Sequence, residues 1–173
     1  FNQVYESLAK ANDQGNAIPG LAKSWEISAD ALTYTMKLVD NAVFHNGEKF
    51  KASDVVFTYN FAKGFAPKKA YYSMVKTVEV IDDYTVKFTL DKPYPLFLTY
   101  TQQVPIVNEK FVTEHKGDIS KVASGTGPYK LVSYDPAVKV MLAANENYRL
   151  GPAAIKDVEL RYVSDASSGV VAL

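Results

Sequence analysis

The sequence predicts an α+β fold, a mainly antiparallel sheet with short helices. Three observations lead there. Strand-like alternation recurs, as where Leu32, Tyr34, Met36 and Leu38 alternate with Thr33, Thr35 and Lys37, the period-2 pattern of a half-buried strand. Strand-like runs follow one another across short turns such as Asp82-Asp83 and Asp135-Pro136, which favours antiparallel neighbours. Helical patterns are few and short, the clearest opening at Ala52-Ser53-Asp54 and stopping at Gly64.

The elements follow in order. Phe1 to Lys10 reads as the end of a helix, with Val4, Tyr5 and Leu8 on one face. Asn12-Asp13-Gln14-Gly15-Asn16 is a turn of residues that tolerate the left-handed region, and Pro19-Gly20 is a second break. Ala22 to Ser28 is a short strand whose Trp25 is read as a core anchor, and Ala31 to Leu38 is the next strand. Asn46-Gly47 signals a hairpin with a type I′ turn. The helix that follows runs from Asp54 to Ala62, with Ser53 as N-cap and Asp54 at the positive end of the dipole.

Pro67 to Met74 is a loop carrying Tyr71-Tyr72. Val75 to Ile81 and Tyr84 to Leu90 form a hairpin. After Lys92-Pro93-Tyr94-Pro95, Leu96 to Thr101 is a short helix with Pro95 in its first turn. Val104 to Val107 is extended. Asn108 caps a helix reaching His115, with Gly117 beyond it. Ser124-Gly125-Thr126-Gly127-Pro128 is the most irregular segment. Tyr129 to Tyr134 and Val138 to Ala143 make a hairpin, Asp157 to Val163 is a final strand, and a helix begins near Asp165.

The 173 residues can bury one solid core, or one domain with part of a second. Nineteen basic and nineteen acidic residues cancel, so charge points to neither nucleic acid nor a membrane surface. With no cysteine, disulfides, thiolate catalysis and cysteine-ligated zinc are excluded. No apolar run approaches membrane-spanning length. Tyrosine is abundant, 12 residues against one tryptophan, as half-buried sheet faces favour.

The search for chemistry is thin. Gly125-x-Gly127 lacks the third glycine of a dinucleotide fingerprint and precedes a strand, so it is read first as a tight crossing that needs glycine φ angles, with a hinge or a backbone-lined edge of a cleft as the alternative. His45 and His115, the two histidines, fall in a hairpin and at a helix end, and neither is read as a metal ligand. No serine sits in a nucleophile elbow. Asp82-Asp83 is a solvated turn, and Glu26, Asp30 and Asp54 have cap or loop explanations. No catalytic, metal-binding or cofactor-binding residue is assigned.

The stretch Leu21 to Tyr59 resembles the family 5 extracellular solute-binding proteins, the peptide- and nickel-binding receptors of bacterial ABC importers. The resemblance rests on Ser24-Trp25-Glu26, Thr33-Tyr34-Thr35, Lys37-Leu38, Val43-Phe44-His45, Gly47, Phe50 and Asp54-Val55-Val56. Val4-Tyr5-Glu6-Ser7-Leu8 upstream fits as well. So do Gly125-Thr126-Gly127-Pro128-Tyr129-Lys130-Leu131 and Asn145-Glu146-Asn147-Tyr148-Arg149 downstream. There are departures. Ala31-Leu32 stands where many members have Gly-Leu, and Val39-Asp40-Asn41 where they often have Arg-x-Gly, with Asn41 able to replace glycine at a turn. Members are several times longer, so the chain is read as a fragment cut at both ends.

The resemblance implies part of a type II periplasmic-binding-protein-like fold, with a side domain over residues 11–115 and a partial ligand-binding lobe I from residues 1–10 and 116–173. It implies a small peptide or other small solute as ligand, bound by lobe closure and delivered to the membrane subunits of an ABC permease. It also implies an extracytoplasmic place, periplasmic or as a cell-surface lipoprotein. Tyr71, Tyr72, Tyr100, Gln102 and Gln103 correspond to loops near one end of the bound peptide in family members. Aromatic faces and amides suit a ligand with repeated amide groups, while packing of these loops against the lobe is the alternative. Two other readings predict different things. A carboxylate-dependent hydrolase needs two converging acids in a deep pocket. A stand-alone interaction module needs exposed strands that pair.

Overall fold

The computed structural model describes residues 2–64, 71–119 and 122–163. The expected helix start near Asp165 and the loop from Pro67 to Ala70 lie outside the described residues. Three antiparallel sheets carry the fold. β1 (Ala9–Ala11) pairs with β2 (Ala17–Pro19) across the Asn12–Asn16 turn, where the Asn12 side chain accepts from the Gln14 and Asn16 amides. β3 (Ala22–Ile27), β4 (Thr33–Leu38), β5 (Val75–Asp82) and β6 (Thr85–Leu90) form a four-stranded sheet in the order β3-β4-β6-β5. β7 (Tyr129–Asp135), β8 (Lys139–Ala144) and β9 (Asp157–Arg161) form a three-stranded meander.

The expected alternation places the main core. Tyr34, Met36 and Leu38 on β4 and Val86, Phe88 and Leu90 on β6 are all buried on one face. Against that face pack α1 (Ala52–Ala62), through Val55 and Tyr59, and α2 (Phe97–Thr101), through Phe97. Phe88 meets Phe97 at 5.3 Å and Tyr59 at 4.9 Å between ring centres. Phe44 and Phe50, flanking the Asn46-Gly47 turn, close the bottom of the cluster. Trp25 packs against this core only partly buried, a weaker anchor than expected, because β3 is an edge strand.

Several local expectations change. Residues 2–10 are not a helix. After a turn at 2–4, the Glu6 carbonyl accepts from Ile106, Ser7 bridges Pro105, and the Leu8 carbonyl accepts from Gly20 and Ala22, so residues 6–10 run extended between two neighbours. The segment's apolar spacing suited a helix, but tertiary hydrogen bonding overrode that local pattern. The Asn46-Gly47 turn is not type I′, since only Gly47 has positive φ, +91°. Phe44 instead accepts from Gly47 and donates to Glu48, a three-residue loop with glycine in the left-handed position. The N-cap of α1 is Lys51, not Ser53. The Asp54 carboxylate, three residues on, accepts the Lys51 N–H at 3.0 Å, half of a capping box. Pro95 precedes the Leu96 cap rather than lying in the first turn of α2. α3 (Glu109–Glu114) is capped by Asn108, which accepts from Phe111 at 2.9 Å, as expected.

Left-handed backbone appears at Ala31 (φ 55°) and not at Asn41. The Ala31-Leu32 departure therefore places a Cβ where glycine would be unstrained. An L residue there costs about 1–2 kcal/mol, and glycine's greater freedom in the unfolded chain returns about 0.5–1. Ala31→Gly is expected to stabilise the protein by about 0.5–1 kcal/mol, raising the thermal midpoint by about 1–4 °C. A lower midpoint in the variant would contradict this account of the turn.

Candidate functional site

The five tyrosines and glutamines picked from sequence separate on folding. Tyr72 is 5% exposed and packs edge-on to Tyr59 inside the core. Tyr71 and Tyr100 are half-buried on the rim, with centroids 5.2 Å apart and rings nearly perpendicular. Tyr94, which sequence reasoning did not single out, joins them 5.4 Å from Tyr100. A hydrogen bond to Tyr94 raises the Tyr100 hydroxyl pKa. Gln102 and Gln103 follow at the end of α2. The Gln102 Nε2 is buried with no hydrogen-bond partner among the described residues.

A second polar centre lies elsewhere, where the separated sequence landmarks meet. Glu6 is almost fully buried. Arg149 reaches it through Nη2 at 2.9 Å and Nε at 3.3 Å, and Lys10 Nζ lies 3.0 Å away. The Tyr148 and Thr126 hydroxyls each donate to it at 3.2 Å. One carboxylate thus ties the Tyr5-Glu6 segment to the Gly125–Pro128 segment and to Asn145–Arg149. Arg149 also donates to the Gly20 carbonyl.

The Gly125–Pro128 segment crosses directly over residues 3–5. Gly127 donates to the Val4 carbonyl and Tyr129 to the Gln3 carbonyl, both at 2.9 Å. A Cβ on Gly125 would sit 2.0 Å from the Val4 oxygen, and one on Gly127 2.5 Å from the Gln3 oxygen. The tight crossing is therefore as expected, but its cause is not. Neither glycine has positive φ; closeness of backbone to backbone demands them. On its other side the His45 Nε2 lies 3.0 Å from the Gly127 carbonyl, and Asn145 donates to the same oxygen at 3.1 Å.

Asp54 is the other buried carboxylate among the described residues. Besides Lys51 it accepts from the Glu109 amide and the Asn108 side chain, so it caps α1 and α3 together. Burial raises its pKa, and these donors oppose the shift. Glu6 and Asp54 thus occupy separate networks, each saturated by donors, and do not converge on a pocket. Among the described residues no group of three or more histidines, aspartates and glutamates could hold a metal ion.

The three-stranded meander keeps one apolar face open. A groove of about 400 Å³ runs between it and the N-terminal segment, lined by Val4, Tyr5, Val122, Leu131, Leu142 and Leu160 among others. No helix among the described residues is long and apolar enough to cross a membrane.

The sequence profile described as "Bacterial extracellular solute-binding proteins, family 5 Middle" matches residues 16–173, and the chain belongs to this family. A Brucella ovis protein provisionally named as an ABC transporter peptide-binding protein is 34% identical over 183 residues, covering 98% of this chain and 34% of its own length. NikZ of Campylobacter jejuni, solved in complex with Ni(L-His), superposes with a TM-score of 0.89 at 30% identity, over 98% of this chain and 36% of NikZ. The Helicobacter pylori periplasmic binding protein DppA, solved with the peptide STSA, superposes at 0.87 with 27% identity, over 99% of this chain and 39% of DppA. The chain thus spans about a third of the length of the relatives it matches. The chain has the fold of part of a type II periplasmic binding protein. The family is one of solute-binding proteins.

Proposed function

We propose that the chain works as part of the extracytoplasmic solute receptor of an ABC importer, with an oligopeptide as the solute, periplasmic or held at the cell surface by a lipid anchor. What carries this reading is the fold match over 98–99% of the chain to receptors solved with small ligands bound. The proposed division follows the core. Residues 11–115 form a side domain around the four-stranded sheet, while residues 1–10 and 116–173 contribute to a ligand-binding lobe built on the meander. Leu8 belongs to the main core, so the first segment serves both parts.

Solute would sit between this lobe and a second one, and hinge closure would create the surface a permease recognises. Tyr71 and Tyr100, with Gln102 and Gln103, would meet one end of the peptide, and Tyr72 would support them from the core. Half-exposed aromatic rings suit a ligand of variable side chains on a constant backbone. Calorimetry with a mixed peptide pool tests the reading. The longer receptor carrying this chain is expected to bind in the micromolar range, and the 173-residue chain alone to show no saturable heat. Micromolar binding by the short chain, or none by the receptor, would overturn it.

A further inference from the structure

His45 makes contacts that only one protonation state satisfies. Its Nε2 faces the Gly127 carbonyl at 3.0 Å. A carbonyl only accepts, so Nε2 carries the hydrogen. Its Nδ1 faces the Gly125 N–H at 3.4 Å. An amide only donates, so Nδ1 is bare. The neutral Nε2–H ring alone meets both demands. The backbone adds a third bond, His45 N–H to the Gly125 carbonyl at 2.9 Å.

We propose that His45 is a pH-gated latch between the Asn46-Gly47 turn and the glycine crossing, closed while the ring is neutral and released when Nδ1 takes a proton. Protonation would set N–H against N–H at Gly125. It would also place a cation in a half-buried position near Lys130 of β7, the charged group that acts on the ring. The nearby acids have other partners: Glu48 on the same turn is held by Lys110, Glu6 by Arg149 and Lys10, and Asp54 by the two helix caps. None of them compensates an imidazolium.

Release would travel further than one turn. The Asn46 amide donates to the Ser124 hydroxyl at 3.2 Å, and its side chain donates to Asn108 at 3.0 Å. Asn108 in turn donates to Asp54 at 3.1 Å. The crossing is thereby wired to the first turns of α1 and α3. Burial lowers the ring's pKa, with the Gly127 hydrogen bond opposing. The sign follows from linkage. The unfolded ring titrates near about 6.5, so the latch contributes fully above that pH and weakens as pH falls below it toward the lowered folded value. The latch is a property of the fold whatever the solute.

Long-range 1H–15N spectra of the histidine rings across pH 7.5 to 4 test the latch. At the upper end His45 is expected as the Nε2–H tautomer. On acidification its midpoint should fall below that of a free imidazole, and the Gly125 amide shift should move with the same midpoint. Opening at Gly125, read as hydrogen exchange relative to the intrinsic rate, should increase on the order of fivefold, what one net hydrogen bond is worth. His45→Gln keeps a donor for Gly127 but has nothing to titrate, so the Gly125 response should vanish, while His115→Gln should leave it intact. An Nδ1–H tautomer, a midpoint at or above the free value, or a Gly125 amide indifferent to His45 would each overturn the proposal. The wild-type spectra alone decide the matter if His45→Gln does not fold.

Discussion

Gly125→Ala is expected to destabilise the protein by more than about 4 kcal/mol, the range reserved for steric failure inside a packed backbone. The added Cβ would lie 2.0 Å from the Val4 oxygen, 2.8 Å from the Val4 carbonyl carbon and 2.9 Å from the Tyr5 Cα. None of these is the movable tip of a side chain. The Val4 carbonyl is also pinned by Gly127, so the two segments cannot separate without losing the bonds that hold them. For a domain of this size the thermal midpoint should fall by roughly 10 °C or more, or the cooperative transition should vanish. Gly47→Ala is the control. It meets open space but keeps φ at +91°, so it should cost only about 1–3 kcal/mol. If Gly125→Ala proved the milder of the two, the close crossing would be wrong.

The second large effect is at Glu6. Glu6→Gln keeps the shape but strands Arg149, whose side chain is only 10% exposed. Removing one partner of a buried ion pair costs about 3–5 kcal/mol, because the remaining charge has lost its compensation. Denaturant unfolding should show this as a lower midpoint with an unchanged slope. The double variant Glu6→Leu with Arg149→Leu should cost less than the sum of the two single changes, since apolar pairs of similar volume can replace buried ions. Additive losses would mean that the two side chains act independently. The Lys10 contact is more exposed and should contribute little.

Much of the fold was legible along the chain. The alternation of Leu32–Leu38 and Val86–Leu90, the Asn108 cap and the turn at Asp135-Pro136 are local signals, and the structure keeps them. The first ten residues failed because their apolar spacing fits a helix or an extended segment equally well. Only the donors at Gly20, Ala22 and Ile106 choose between them. The candidate site was less legible. Tyr71 and Tyr100 do pack together, but Tyr94 was invisible as their third member, and nothing in sequence set the buried Tyr72 apart from its half-buried neighbour. Glu6 and Arg149 were visible only as parts of a family resemblance, and His45 beyond that only as a histidine not read as a metal ligand.

By itself the sequence determined most of the longer strands, the Asn108 cap and the turns at Asp82-Asp83 and Asp135-Pro136, and through Leu21–Tyr59 it pointed to the family. These are short-range properties, written in periodicity and in residues whose backbone or side chain suits one local geometry. Only the tertiary structure decided what the landmarks are for. Glu6 and Arg149 stand 143 positions apart, as do His45 and Gly127 at 82, and chain separation carries no sign of contact. Folding brings them together at the glycine crossing, where Arg149 and the Thr126 hydroxyl satisfy the buried Glu6 carboxylate and the Gly125 and Gly127 backbones satisfy the His45 ring. The residues that make the family recognisable hold its segments together.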